Sequence, residues 1–86
     1  MNKNELIAIV KTKLQDEIVI EKIDIEDKSF LHKNHTGHQQ GKFHLKLMIN
    51  SVELKKLNRI EGNKRIYKVL DQELKENIHS LQILIS

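Results

Sequence analysis

The chain has 86 residues, of which 38% are hydrophobic and 31% charged, with a net charge of +3 and a pI near 9.2. That length holds one small domain and leaves no room for a separate substrate domain or a large internal cleft. The absence of cysteine excludes a disulfide scaffold and any thiolate centre built from this chain alone, and no apolar run reaches the roughly 18 residues of a membrane span.

The first expected element is a helix. Leu6, Ile9, Val10, Lys13 and Leu14 recur at helical spacing, with the aliphatic stem of Lys13 snorkelling at the edge of the stripe. Asn2 or Asn4 caps it, and Glu5 stands near the positive end of its dipole. From Glu17 to Glu26 the chain is rich in isoleucine and reads as a strand. Its alternation slips, because Ile18 and Ile20 share one phase and Ile23 and Ile25 the other; a bulge, or a loop before the strand proper, accounts for this.

Asp27 to Lys42 has no sustained periodicity and holds Gly37 and Gly41, so it is expected to form a long functional loop and to be the most mobile part of the free protein. Asp27 and Ser29 are expected to organise its backbone by side-chain hydrogen bonds. In the next strand Phe43, Leu45, Leu47 and Ile49 alternate with His44, Lys46, Met48 and Asn50. Ser51 opens a polar connection with a helical turn around Val52–Lys55. A helix is expected over Gly62–Asn77, with Ile66, Val69, Leu70 and Leu74 on one stripe, Tyr67 beside it, and Asp71, Glu73, Lys75 and Glu76 facing water. A final strand, His79–Ile85, alternates Leu81, Ile83 and Ile85 with Ser80, Gln82 and Leu84.

This order describes a single α+β domain over residues 1–86. Both long helices must cover one face of a three-stranded sheet, since neither can bury its stripe otherwise. The strand after the long helix is expected to run parallel to its neighbour, which makes the sheet mixed. Leu70 and Leu74 should then lie under the sheet with Leu45, Leu47, Leu81 and Ile83.

Four of the five histidines, His32, His35, His38 and His44, fall between Leu31 and His44; His79 stands apart before the last apolar run. Histidine is the side chain best suited to switching charge near neutral pH and the commonest metal ligand. Without thiols here, histidines must hold a metal alone or share it with a partner that brings sulfur. His44 is expected to face solvent or to serve as a structural hydrogen-bond partner, and His38 to be a loop residue. Spacing alone makes His79 a cation at a helix C-terminus.

Four segments resemble one family. Asp27-Lys28-Ser29-Phe30-Leu31-His32 resembles the D-x-S-x-x-H opening of the BolA loop, and His32-Lys33-Asn34-His35 its H-x-G-H variants with Asn34 in place of glycine. His44-Leu45-Lys46-Leu47-Met48-Ile49-Asn50-Ser51 resembles the family's H-F-x-V strand. Tyr67 to Leu74, followed by Ile78-His79-Ser80-Leu81, resembles its ending. One departure is clear: Gly62-Asn63-Lys64 stands where the family commonly carries R-H-R, so a role that depends on that histidine is not carried over to this chain.

The resemblance implies an α-β-β-α-α-β fold similar to a type II KH domain. It also implies a monothiol glutaredoxin as partner and a 2Fe–2S cluster shared across the interface, in iron–sulfur assembly, trafficking or iron sensing. The implied ligands are His79 and His32, with His35 as the alternative loop ligand. The partner's cysteine and a glutathione thiol would complete the set. A cytoplasmic protein, monomeric or a weak homodimer on its own, is expected.

Two other readings follow from the residues. Lys55, Lys56, Arg59, Lys64 and Arg65 form the one local concentration of positive charge, and with a KH-like topology they suggest a DNA-binding regulator. No G-x-x-G clamp accompanies them, since Gly37 and Gly41 lie in the other loop and Gly62 stands alone. Catalysis is not expected. His32 and His35 lack the acidic residue and helix of a zinc-hydrolase motif, and nothing has the spacing of a nucleophile and base.

Overall fold

A computed structural model describes residues 2–29 and 42–86. The chain begins with helix α1 (Lys3–Glu17), whose cap is Asn2: its side-chain oxygen accepts from the Glu5 amide at 2.8 Å. Leu6, Val10 and Leu14 are buried, and Ile18 closes the helix through its amide to Leu14 O. The isoleucine-rich stretch therefore divides. Ile18 to Glu21 is the connection, and the strand proper, β1, is Lys22–Asp27. The slipped alternation reflects that change from cap to strand and not a bulge.

β2 (Phe43–Asn50) occupies the centre of the sheet, antiparallel to β1 and parallel to β3 (Ile78–Ile85). The sheet is mixed, as expected for a strand that returns after a helix. Register puts Ile23 opposite Ile49 and Ile25 opposite Leu47, while Leu45, Leu47 and Ile49 pair with Leu81, Ile83 and Ile85. One sheet face is therefore aliphatic, and it meets the stripes of α1 and α3 in a single core that includes Leu6, Leu14, Leu47, Ile66 and Leu70.

Between β2 and β3 the Ser51 hydroxyl accepts from the Leu54 amide at 3.1 Å and donates to Val19 O at 2.7 Å, capping the short α2 (Val52–Lys55) while tying it to the connection before β1. Helix α3 (Arg59–Val69) starts earlier than the apolar stripe indicated, because Asn58 caps it by accepting from the Glu61 amide at 2.8 Å. The expected continuous helix is interrupted at Leu70, which closes α3 and opens α4 (Asp71–Glu76). Leu70 is fully buried, and Leu74 packs half-buried against the same core.

Glu73 corrects the expected polar face. It is 5% exposed, and its Oε2 accepts from Lys13 Nζ at 2.6 Å. With the helix restarted at Leu70, this carboxylate turns towards the cation of α1 instead of towards water. Its Oε1 has no hydrogen-bond partner among the described residues, so Lys13 is its sole neutralising contact there.

Two outcomes follow for stability. Leu70→Ala should cost about 2–5 kcal/mol, as large-to-small core changes do, whereas exposed Lys68→Ala should stay within about 0.5 kcal/mol in urea titrations. Lys13→Met, which strands a buried carboxylate, should cost about 1–3 kcal/mol, clearly more than Lys11→Met at an exposed position of the same helix.

Candidate functional site

The histidines that the structure describes, His44 and His79, meet at one end of the sheet. Phe43 pairs with Ile78 and His44 with Ser80, so the register steps by one residue and His79 has no β2 partner of its own. That extra residue is a bulge, a device that re-aims a side chain at a strand end. It lets two successive residues of β3 reach His44. The His79 ring packs edge-on to the His44 ring at 4.9 Å, and the Ser80 hydroxyl shares a 2.6 Å hydrogen bond with His44 Nδ1.

The two imidazoles differ in exposure. His44 is 6% exposed although it stands on the sheet face away from the helices; His79 is exposed. Of the two roles expected for His44, the structural hydrogen-bond partner is the one observed. Its amide donates to Ser29 Oγ at 3.1 Å and its carbonyl accepts from the Lys28 amide at 2.7 Å. The Ser29 amide in turn donates to Asp27 Oδ1 at 2.9 Å, the loop-organising role expected of Asp27 and Ser29. Asn77 O accepts from the Phe43 amide at 2.9 Å, so the chain re-enters the sheet beside the strand that carries His79. His32, His35 and His38 lie outside the described residues, as does the expected mobility of the loop; no group of three metal-ligating side chains occurs among the described ones.

The five basic residues do not form one patch. Arg65 Nη2 donates to Glu53 Oε1 at 2.7 Å and more weakly to Glu17 O at 3.3 Å, and it lines a cleft of about 590 Å³ with Lys13, Asp16, Glu17, Lys68 and Val69. Lys64 lies 3.9 Å from Glu61. Lys55 and Arg59 instead border a groove of about 270 Å³ between the α2–α3 turn and the end of β3, with exposed Lys56 on the same turn. Gly62 is buried inside α3, where an added Cβ would meet Ile85 Cδ1 at 3.2 Å; it allows close helix–strand approach. Asn63, in the place of the family's histidine, is half-buried and lines the groove.

Comparison with known proteins fits this arrangement. The model for BolA-like proteins matches residues 14–86. The chain belongs to the BolA-like family. A DNA-binding transcriptional regulator BolA of Haemophilus influenzae is 32% identical over 75 residues, covering 87% of this chain and 70% of that protein. The BolA domain of SufE1 from Arabidopsis thaliana superposes with a TM-score of 0.79 at 26% identity, covering 100% of this chain and 93% of that one. BolA1 from the same plant gives 0.78 at 25%, covering 93% and 88%. The α-β-β-α-α-β fold anticipated from the sequence is thus the BolA fold, with α4 as a broken continuation of α3.

Sequence reasoning missed Glu53 in this BolA-like chain. The Val19 amide donates to its Oε2 at 2.6 Å, and Arg65 binds its other oxygen. The Val19 hydrogen bond, then that from Arg65, hold its carboxyl below the ordinary value of 4.5. No pattern in the sequence marks this contact, which joins residues far apart in the chain. A group whose folded pKa is depressed contributes stability that is fully present above the unfolded value and is lost as pH falls through the folded one. The stability difference between wild type and Glu53→Gln should therefore be largest near neutral pH and shrink below about pH 4. Urea midpoints measured across that range check the direction.

Proposed function

We propose that this BolA-like chain holds one side of a 2Fe–2S cluster shared with a monothiol glutaredoxin, and acts in cluster assembly, trafficking or iron sensing instead of catalysing a reaction. The observation that carries the reading is the bulge at Ile78 and His79, which sets an exposed imidazole against a buried one beside the anchored ends of segment 30–41. His79 is the first ligand. His32 is the second, with His35 as its alternative: three residues of chain from Ser29 reach at most about 10 Å, and six about 20 Å.

The donor set fits half of such a site. Two imidazoles can replace two thiolates on one cluster, which then has a higher reduction potential than an all-thiolate centre. This chain supplies imidazole but no thiol, so a partner cysteine and glutathione are needed to complete the set. A reducing, cytoplasm-like compartment is the setting in which those thiols persist. His44 is not assigned as a ligand, since its Nδ1 is engaged by Ser80 and it is buried.

A second reading, DNA binding, is supported by the name of the Haemophilus influenzae relative and by exposed Lys55, Lys56 and Arg59 on the α2–α3 turn. Against a KH-type clamp, Gly62 packs on Ile85 and the turn itself carries no glycine. Binding of a duplex at this surface should fall steeply with salt, and charge reversal at Lys55 and Arg59 should reduce the slope.

Anaerobic co-purification with a monothiol glutaredoxin followed by a visible spectrum tests the first reading. His79→Ala should abolish the histidine-type spectrum of the mixed complex, and His38→Ala should leave it intact. His32→Ala should weaken it, and the double change His32→Ala, His35→Ala should match His79→Ala. Because ligation needs neutral imidazole, the wild-type spectrum should fade as protons compete below about pH 6.5. An unchanged cluster in His79→Ala would sink the shared-cluster reading.

A further inference from the structure

We propose that the free edge of β3, together with the groove beside it, docks an extended acidic segment of a partner protein, which joins the sheet as a fourth strand. Among the described residues β3 is an outer strand, paired with β2 on one side only. The Ser86 amide donates to Ile49 O at 2.8 Å and Ser86 O accepts from the Ser51 amide, so the backbone groups of residue 86 point towards β2 and the loop after it. Alternation along a strand then turns the N–H and C=O of Leu81, Ile83 and Ile85 outward. None of these groups has a partner among the described residues.

Natural edge strands are blunted by charge, proline, bulges or shortness. β3 is eight residues long and contains no charged residue and no proline. Its one bulge lies at the His79 end, so Ser80 to Ile85 is left regular. Beside that stretch, the groove has an apolar floor formed by Ile83, Ile85 and half-exposed Leu57 and Leu84. Its rim carries Lys55 and Arg59, neither of which makes an ion pair among the described residues, and no acidic side chain lines it. An incoming strand satisfies the edge hydrogen bonds, buries alternate apolar side chains in the groove and neutralises the two cations with flanking carboxylates.

Other occupants fit less well. Grooves that take single-stranded nucleic acid stack bases on aromatic rings, and no aromatic residue lines this one. A second copy paired edge to edge would bring no carboxylate to the two cations, since β3 itself carries no acidic residue. The site is separate from the His79 end of β3, so the proposal stands independently of the cluster reading.

The test uses the full chain and a fluorescein-labelled peptide, Glu-Asp-Val-Ser-Val-Ser-Ile-Glu-Asp, with blocked ends. Expected is binding by fluorescence polarisation, with amide exchange of Leu81, Ile83 and Ile85 slowed roughly tenfold or more at saturation. Methylating alternate backbone nitrogens of the peptide should abolish binding, and Lys55→Glu, Arg59→Glu should weaken it at least about tenfold with the dispersed NMR spectrum retained. His79→Ala should bind as wild type. The proposal is overturned if the peptide does not bind, if the methylated peptide binds equally, or if oligo-dT and not the peptide protects these amides. It is also overturned if sedimentation shows a dimer in which the same amides are protected without peptide.

Discussion

β2 lies between two partners of opposite sense, and its alternation fixes what each face of the molecule does. The odd residues from Leu45 to Ile49 must pack against helices, because this aliphatic set finds no other apolar surface in so small a domain. Pairing then carries the same parity into β1 and β3. A slip of one residue would drive Lys46 into the core and Leu47 into water, so the register is strongly specified. His44 shares this strand, and its place on the other face follows from the burial of its neighbour Leu45.

The candidate site arises where that regularity is broken. With strict alternation, His79 and Ser80 would point to opposite faces of β3. The bulge lets both reach His44, one by a ring edge and the other by a hydroxyl. Ser29 and Asp27 join the end of β1 to the same point through backbone amides. The exposed imidazole of His79 thereby packs against a His44 that is itself fixed by the Ser80 hydroxyl and by Ser29 at the end of β1.

Charge is used in two ways. Lys13, Arg65 and their partners Glu73 and Glu53 act as joints: each links elements distant in sequence, and Glu53 ties α2 and α3 to the connection before β1. Lys55 and Arg59 join nothing within the described chain and border the end of the uncapped edge strand. The residue types are the same, yet the former organise the fold and the latter are available to a partner.

Most of the architecture was legible because its causes are local. Periodicity gave α1, β2 and the stripe through Ile66 and Leu70, and the order of elements required a mixed three-stranded sheet. The motifs around Asp27, His44 and His79 marked the family and singled out His79. What the sequence could not supply depends on contacts across the chain. Asn58 starts α3 well ahead of the apolar stripe that begins at Ile66, Leu70 breaks a helix that has neither glycine nor proline there, and Glu73 looks like a water-facing residue until Lys13 of α1 lies beside it. The burial of His44, the bulge that pairs it with His79, and the placing of Lys64 and Arg65 in ion pairs but of Lys55 and Arg59 at a groove are likewise tertiary. Spacing within a segment determines which face a side chain takes, but only packing of separate segments determines what it meets there.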